Sequence, residues 1–449
     1  MKSTPLVTNR TPIQSPIPFG LALRFWLKLG FISFGGPAGQ IAMMHAELVE
    51  RRRWISEARF LHALNYCMVL PGPEATQLAI YIGWLMHRTV GGIIAGALFI
   101  LPSLLILIAL SWIYMAFGNV PIVIGILYGI KPAVVAIVIA AAWRIGVRTL
   151  RNGYLFAIAV AAFIAIAMAH IPFPAIIGVA ALCGAIGGHF HPAKFTLATR
   201  HTTESTHNYG PAIIDDDTPA PPHARFSWRK TIAIALTGLS LGLASWFAIA
   251  AICGYASPLA QMAIFFSKAA LVTFGGAYAV LPYVVQGAVD QAHWLQATQM
   301  IDGLALGETT PGPLIMVVAF VGFVGAWQTT TIAPAAAGIT GACIATFFTF
   351  LPSFLFVLAG APLLESTRDN VRLTAPLTAI SAAVVGVIVS LAIFFAINIF
   401  HLTQSPINWD FAAMIITILA VIALMRFGLG TIKLIFACAI AGAVVSFIH

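Results

Sequence analysis

The sequence predicts an all-α polytopic membrane protein with two inverted-topology repeats, re-entrant or broken helices in each, and a linking transmembrane helix between them. Composition, a register that recurs along the chain, and the placement of the basic residues carry that expectation. Of 449 residues, 60% are hydrophobic and only 8% charged, whereas about a quarter of a soluble domain is charged. Uncharged stretches such as residues 93–114, 133–143 and 375–400 recur, and about 20 mostly apolar residues cross a bilayer as a helix.

Composition also excludes several classes. A formal charge of +9 would point a soluble protein toward nucleic acid, but in a lipid bilayer basic loops facing anionic headgroups account for it, so no nucleic-acid partner is expected. The five cysteines (Cys67, Cys183, Cys253, Cys343, Cys438) stand singly in apolar segments. With no C-x-x-C spacing they imply no disulfide framework, metal site or cofactor. Residues 1–16 are polar and proline-bearing, without the apolar core and cleavage site of a signal peptide, and read as a cytoplasmic tail.

The repeat is explicit. Phe34-Gly35-Gly36 and Phe274-Gly275-Gly276 stand 240 residues apart, as do Lys28 and Lys268, Trp54 and Trp294, and Pro71-Gly72-Pro73 and Pro311-Gly312-Pro313. After a ten-residue insertion the offset becomes 250, matching Leu101-Pro102-Ser103 to Leu351-Pro352-Ser353 and Ile130 to Ile380. Register kept this long marks an internal duplication. The expected organisation is therefore a first repeat at 17–189, a polar cytoplasmic linker at 190–230, a linking transmembrane helix at 231–255 and a second, inverted repeat at 256–449. The linker holds Asp215, Asp216, Asp217 and irregularly spaced histidines (His189, His191, His201, His207, His223). It is too polar to bury a core, and the histidines lack ligand spacing.

Each repeat should break twice. Proline removes a helix donor and restricts the residue before it, and glycine weakens helix further, so Gly35-Gly36-Pro37 and Pro71-Gly72-Pro73 interrupt their segments. The flanking arms at 57–70 and 73–86 would each be about 21 Å long, short of a roughly 30 Å hydrocarbon core. A re-entrant hairpin fits such arms, provided protein or water covers the broken backbone. If both hairpins of each half return to their starting side, 19 of the 23 basic residues fall on the side of the N-terminus, among them Arg51, Arg52, Arg53, Arg59, Arg88, Arg144, Arg148 and Arg151. The remaining four, Arg24, Lys28, Lys131 and Lys268, lie inside apolar segments. Full crossings would put four arginines on the opposite side, against the positive-inside rule. Under either arrangement the odd linking helix inverts the second half, the plan of many secondary transporters.

Inverted hairpins would bring helix starts together near the midplane, and a helix N-terminus presents free N–H groups and partial positive charge to an anion. The candidate transport site is thus Gly35, Gly36, Pro71, Gly72, Pro73, Glu74, Gly275, Gly276, Glu308, Pro311, Gly312 and Pro313, with the intramembrane cations Arg24, Lys28, Lys131 and Lys268. Lys131 sits mid-span before Pro132, where a cation costs at least about 2.5 kcal/mol. It needs a partner such as Glu74 or Glu308, or a passing anion. Ser381 occupies the equivalent position in the second half. Glu74 has two readings, proton acceptor or complement to its own helix dipole. Trp54 and Trp294 fit interfacial anchors.

Taken together, Phe34-Gly35-Gly36-Pro37, the Trp54 loop, Leu70-Pro71-Gly72-Pro73-Glu74-Ala75-Thr76-Gln77, Gly129-Ile130-Lys131-Pro132-Ala133 and Glu308-Thr309-Thr310-Pro311-Gly312-Pro313-Leu314 resemble the chromate ion transporter family in its long-chain, two-domain form. That resemblance implies efflux of chromate, a tetrahedral oxyanion, across a bacterial inner membrane, with chromate resistance and with sulfate as the structural analogue. A sulfate or other oxyanion carrier is the alternative. A membrane-embedded enzyme acting on a phosphorylated lipid would want converging acids, histidines or metal ligands, and the apolar segments offer only Glu74, Glu308, Asp302, His45 and His62 without catalytic spacing. Two inverted halves favour alternating access over a passive channel. A homodimer is compatible with the sequence.

Overall fold

The computed structural model describes residues 17–195, 209–216, 218, 221–224, 226–274, 276–330, 333–366, 374–402 and 409–448. Gly275, the 1–16 tail, Asp217 and the whole 196–208 stretch with its histidines lie outside the described residues. The first half runs α1 (Phe19–Ile32), α2 (Gly36–His45), α3 (Glu57–Cys67), α4 (Glu74–Phe117), α5 (Pro121–Thr149), α6 (Gly153–Ala167) and α7 (Phe173–Phe190). A linking helix α8 (Trp228–Cys253) leads to α9 (Pro258–Leu271), α10 (Ala277–Val284), α11 (Ala297–Thr309), α12 (Val317–Thr329), α13 (Pro334–Ser366), α14 (Thr374–Ile399), α15 (Phe411–Met425) and α16 (Thr431–Ile448). The protein is an all-α polytopic membrane protein. By length and composition six of the described helices are apolar enough to cross a membrane.

The predicted breaks are where the helices stop: α1 ends before Ser33, α3 before Met68, and α2 and α4 restart at Gly36 and Glu74. Across each break the arms fold back. Phe265 of α9 stacks on Tyr283 of α10 with ring centroids 5.0 Å apart. In the next hairpin Gly303 of α11 lies against Phe320 of α12, and Gly307 against Val317. Numbers that rise along one arm fall along the other, which is antiparallel packing about the Pro-Gly-Pro turn. A third reversal follows in α4, where His87 and Arg88 leave helical conformation. Residues 74–86 then lie along 89–117, so a Cβ on Gly92 would stand 2.9 Å from the Ile80 carbonyl. The broken backbone at these turns is thereby covered by protein, as the rule against lipid-exposed broken backbone requires.

The halves are interleaved rather than side by side. α5 packs on α15 and α16, and α14 packs on α6 and α7 in the mirrored arrangement, with α4 against α13. Small residues set the approach: Gly129 faces Gly442 and the Cys438 carbonyl, and Gly184 faces Ala375 and Ala379. In lipid, where apolar burial gives no preference between a helix and a tail, close van der Waals contact over small residues drives such packing.

Two expectations are corrected here. Trp54 and Trp294 are buried, each 4% exposed, packing edge-on against Phe25 at 5.6 Å and Phe265 at 5.3 Å. They close the first hairpin of each half from inside instead of anchoring in headgroups, because aromatic pairing with the helix arm outcompetes the interface. The linker, expected to be solvated, is in part a docked strap. Ile213 and Ile214 donate to the Arg53 and Trp54 carbonyls at 2.9 and 3.0 Å, Ser56 donates to Asp216 at 2.6 Å, and His223 shares a 3.0 Å bond with the Trp84 carbonyl. Backbone pairing lets a polar segment bind without a core of its own.

Candidate functional site

The turn glycines explain the site. Gly72 and Gly312 have φ of 126° and 102°, a region open to glycine and strained for other residues. Gly72 N–H donates to the Thr273 carbonyl at 2.8 Å, and Gly312 N–H donates to the Ser33 carbonyl at 2.9 Å. Ser33 and Thr273 are themselves equivalent positions. Each Pro-Gly-Pro turn is therefore stitched to the Gly-Gly break of the opposite half, and the two stitches mirror each other.

Around each stitch is a nest of buried polar groups. Ser103 stands beside Gly312, with its Oγ 3.1 Å from where a Cβ would be, while Ser353 and Gln77 stand beside Gly72. Gln40 donates to the Gly312 carbonyl at 2.5 Å and to Ser33 at 3.2 Å, and Gln77 donates to Pro71 at 2.8 Å. The side chains of Ser33, Gln40, Thr76, Gln77, Ser103 and Ser353 are fully buried, and the hydroxyls of Ser33, Thr76, Ser103 and Ser353 have no protein partner. An unmet buried hydroxyl costs about 1–3 kcal/mol. Four such hydroxyls gather at the two turns, and buried polar groups left so call for an explanation.

These hydroxyls escaped the sequence reading, although Ser103 and Ser353 carry the repeat signal itself in Leu-Pro-Ser. The helix starts behave unequally. Glu74 begins α4 directly and is half-buried, whereas Leu314–Met316 form a tight turn that ties the Met316 amide to the Pro313 carbonyl at 2.9 Å.

The charged candidates separate into three groups. Arg24, Lys28 and Lys268 are exposed on α1 and α9, where their stems can snorkel. Glu308, one turn before Pro311, accepts a hydrogen bond from Tyr278, just past Gly276, which ties the two hairpins of the second half together. Arg144 of α5 is within electrostatic reach of that pair. Lys131 is not paired with Glu74 or Glu308, as the sequence led one to expect: its Nζ lies 3.5 Å from Asp302 Oδ2. The same oxygen accepts a 3.0 Å bond from Tyr114. Asp302 precedes the end of α11 by about two turns, or roughly 10 Å, so the ion pair stands back from the Pro-Gly-Pro turn that follows. Among the described residues no cluster of three or more His, Cys, Asp or Glu offers a metal site.

Comparison with known proteins places the chain. The family model for chromate transporters matches it twice, over residues 21–187 and 260–443. The chromate transport protein of Pseudomonas aeruginosa is 34% identical over 388 residues, 86% of this chain and 83% of that protein. That of Cupriavidus metallidurans is 29% identical over 373 residues, 83% of this chain and 81% of its own length. The Bacillus subtilis transporter YwrA is 32% identical over 115 residues, which make up 65% of YwrA and 26% of this chain. No solved structure matches.

Proposed function

This chain belongs to the chromate transporter family, and on that premise we propose that it is a secondary transporter exporting chromate across a bacterial inner membrane, with N-terminus and linker in the cytoplasm. The observation that carries the reading is the pair of mirrored nests, where buried hydroxyls without protein partners surround two glycine turns that the opposite half holds in place. A tetrahedral dianion entering there exchanges water for hydroxyl donors and for the unpaired amides and positive dipole of the adjoining helix starts. Glu74, Pro71, Gly72, Pro73, Pro311, Gly312, Pro313, Gly35, Gly36 and Gly276 shape this site, Glu308 braces it, and Lys131 draws the anion toward it. Neutral donors select charge and shape before identity, so sulfate is expected to compete. The relatives bearing transporter names support transport over lipid-modifying chemistry.

The test is flux in proteoliposomes. Chromate movement should exceed that of protein-free vesicles, respond to an imposed potential, since each elementary charge gains about 2.3 kcal/mol per 100 mV, and fall when sulfate is added in excess. Flux equal to protein-free vesicles would defeat the reading, and flux indifferent to potential would defeat net charge movement.

A further inference from the structure

We propose that Asp302, with Lys131 and Tyr114, is the proton-binding element of the transport cycle, taking up one proton for each dianion that draws Lys131 away. This rests on the oxyanion-transport reading and adds a coupling ion to it.

The geometry sets the two partners apart. The Asp302 side chain is 3% exposed and that of Lys131 is 26% exposed, so an anion can meet the ammonium without reaching the carboxylate. Asp302 Oδ2 holds both known contacts, from Lys131 and from the Tyr114 hydroxyl. Its second oxygen, Oδ1, is buried with no donor. The three residues come from α5, α4 and α11, hence from both halves of the molecule.

The duplication sets the ion pair apart. The positions equivalent to Tyr114, Lys131 and Asp302 are Leu364, Ser381 and His62, so the second copy of the repeat does not carry the charges for it. Buried ion pairs contribute little stability compared with apolar packing.

Few other charges face the carboxylate. α4 brings Tyr114 and α5 brings Lys131, while α12 and α14 carry no titratable side chain. The one charge on α16, Lys433, is exposed, as is Asp290 in the turn before α11. Glu308, on α11 itself, is held by Tyr278. When a dianion engages Lys131, Asp302 keeps only a phenol donor, and a buried carboxylate so stripped of its cation is neutralised. A proton from bulk water adds to a carboxylate oxygen, giving the neutral acid. Lys131 and Tyr114 keep their protons. On anion release Lys131 returns and Asp302 gives the proton back, so the loaded carrier gains one negative charge in place of two.

The experiment is calorimetry of the full-length chain in lipid nanodiscs, titrated with chromate in alkaline buffers of differing ionisation enthalpy, which counts protons separately from binding. Wild type should take up about one proton per chromate, and its affinity should weaken by up to about tenfold per pH unit as pH rises. Asp302→Asn should bind chromate with no proton uptake and a flat pH profile, and Asp302→Glu should keep the uptake. Chromate binding by wild type without proton uptake would overturn the inference and leave the transport reading standing, as would uptake that persists in Asp302→Asn. No chromate binding by wild type would sink both.

Discussion

At the scale of single residues, charge in a low-dielectric setting decides which side chains matter. Lys131 has a partner, Asp302, and removing the cation leaves a carboxylate buried alone. Truncating one member of a buried charge pair costs about 2 kcal/mol or more, so Lys131→Ala is expected to lower chromate flux in vesicles roughly tenfold or more. Lys131→Arg should keep part of it, with charge retained and shape altered. If Lys131 served only to neutralise its partner, the compensating change would be Asp302→Asn and not Glu74→Gln, whereas a lysine that meets the anion leaves the double variant as impaired as Lys131→Ala. Full flux by Lys131→Ala, normalised to inserted protein, would return this lysine to a packing role. Lys131 was legible as an expensive mid-span cation from its surroundings alone. Its partner was not, because Asp302 is far along the chain and reaches it only through the packing of α11 on α5.

At the scale of elements, the hairpin turns are where backbone conformation becomes function. Gly72→Leu would force a side chain into a positive-φ position already crowded by Ser353 and by the Gln77 amide 2.7 Å away. Gly312→Leu would meet Ser103 Cβ at 2.7 Å. Backbone strain of this kind costs about 1–3 kcal/mol, which a polytopic bundle absorbs while the nest closes. Both variants should insert at wild-type levels and lose chromate flux by about tenfold or more. Wild-type flux in both would reduce the turns to simple kinks, and loss in one alone would show that the nests are unequal. Their glutamines already differ: Gln40 and Gln77 both come from the first half, and Val280 and Val317 stand at the equivalent positions.

At the scale of the whole molecule, interleaved halves and returning hairpins make a definite statement about sidedness. Arg51, with 73% of its side chain exposed, belongs on the same face as the exposed Arg148. Gln291, on the equivalent loop of the second half, belongs opposite. In a background with Cys183 and Cys343, the exposed cysteines, changed to serine, single cysteines at Arg51 and Arg148 should react from the cytoplasmic side. One at Gln291 should react from outside. Labelling of the Arg51 position from the periplasm would refute the returning hairpin of the first half.

The amino-acid sequence by itself determined the solvent, the duplication and the break points. Each follows from information held within a few residues or from comparing one half with the other: apolar run length, the steric demands of Pro-Gly-Pro, and a constant offset. What only the tertiary structure decided is which groups meet. The break of one half is stitched to the turn of the other, buried hydroxyls from Leu-Pro-Ser segments line those turns, Asp302 answers Lys131, Trp54 and Trp294 face inward, and the linker residues 213–216 and 223 dock on the first half. The physical reason is that helices in lipid find one another through close approach of small residues such as Gly129 and Gly442. Such contacts join residues hundreds of positions apart, and no local pattern in the chain records them.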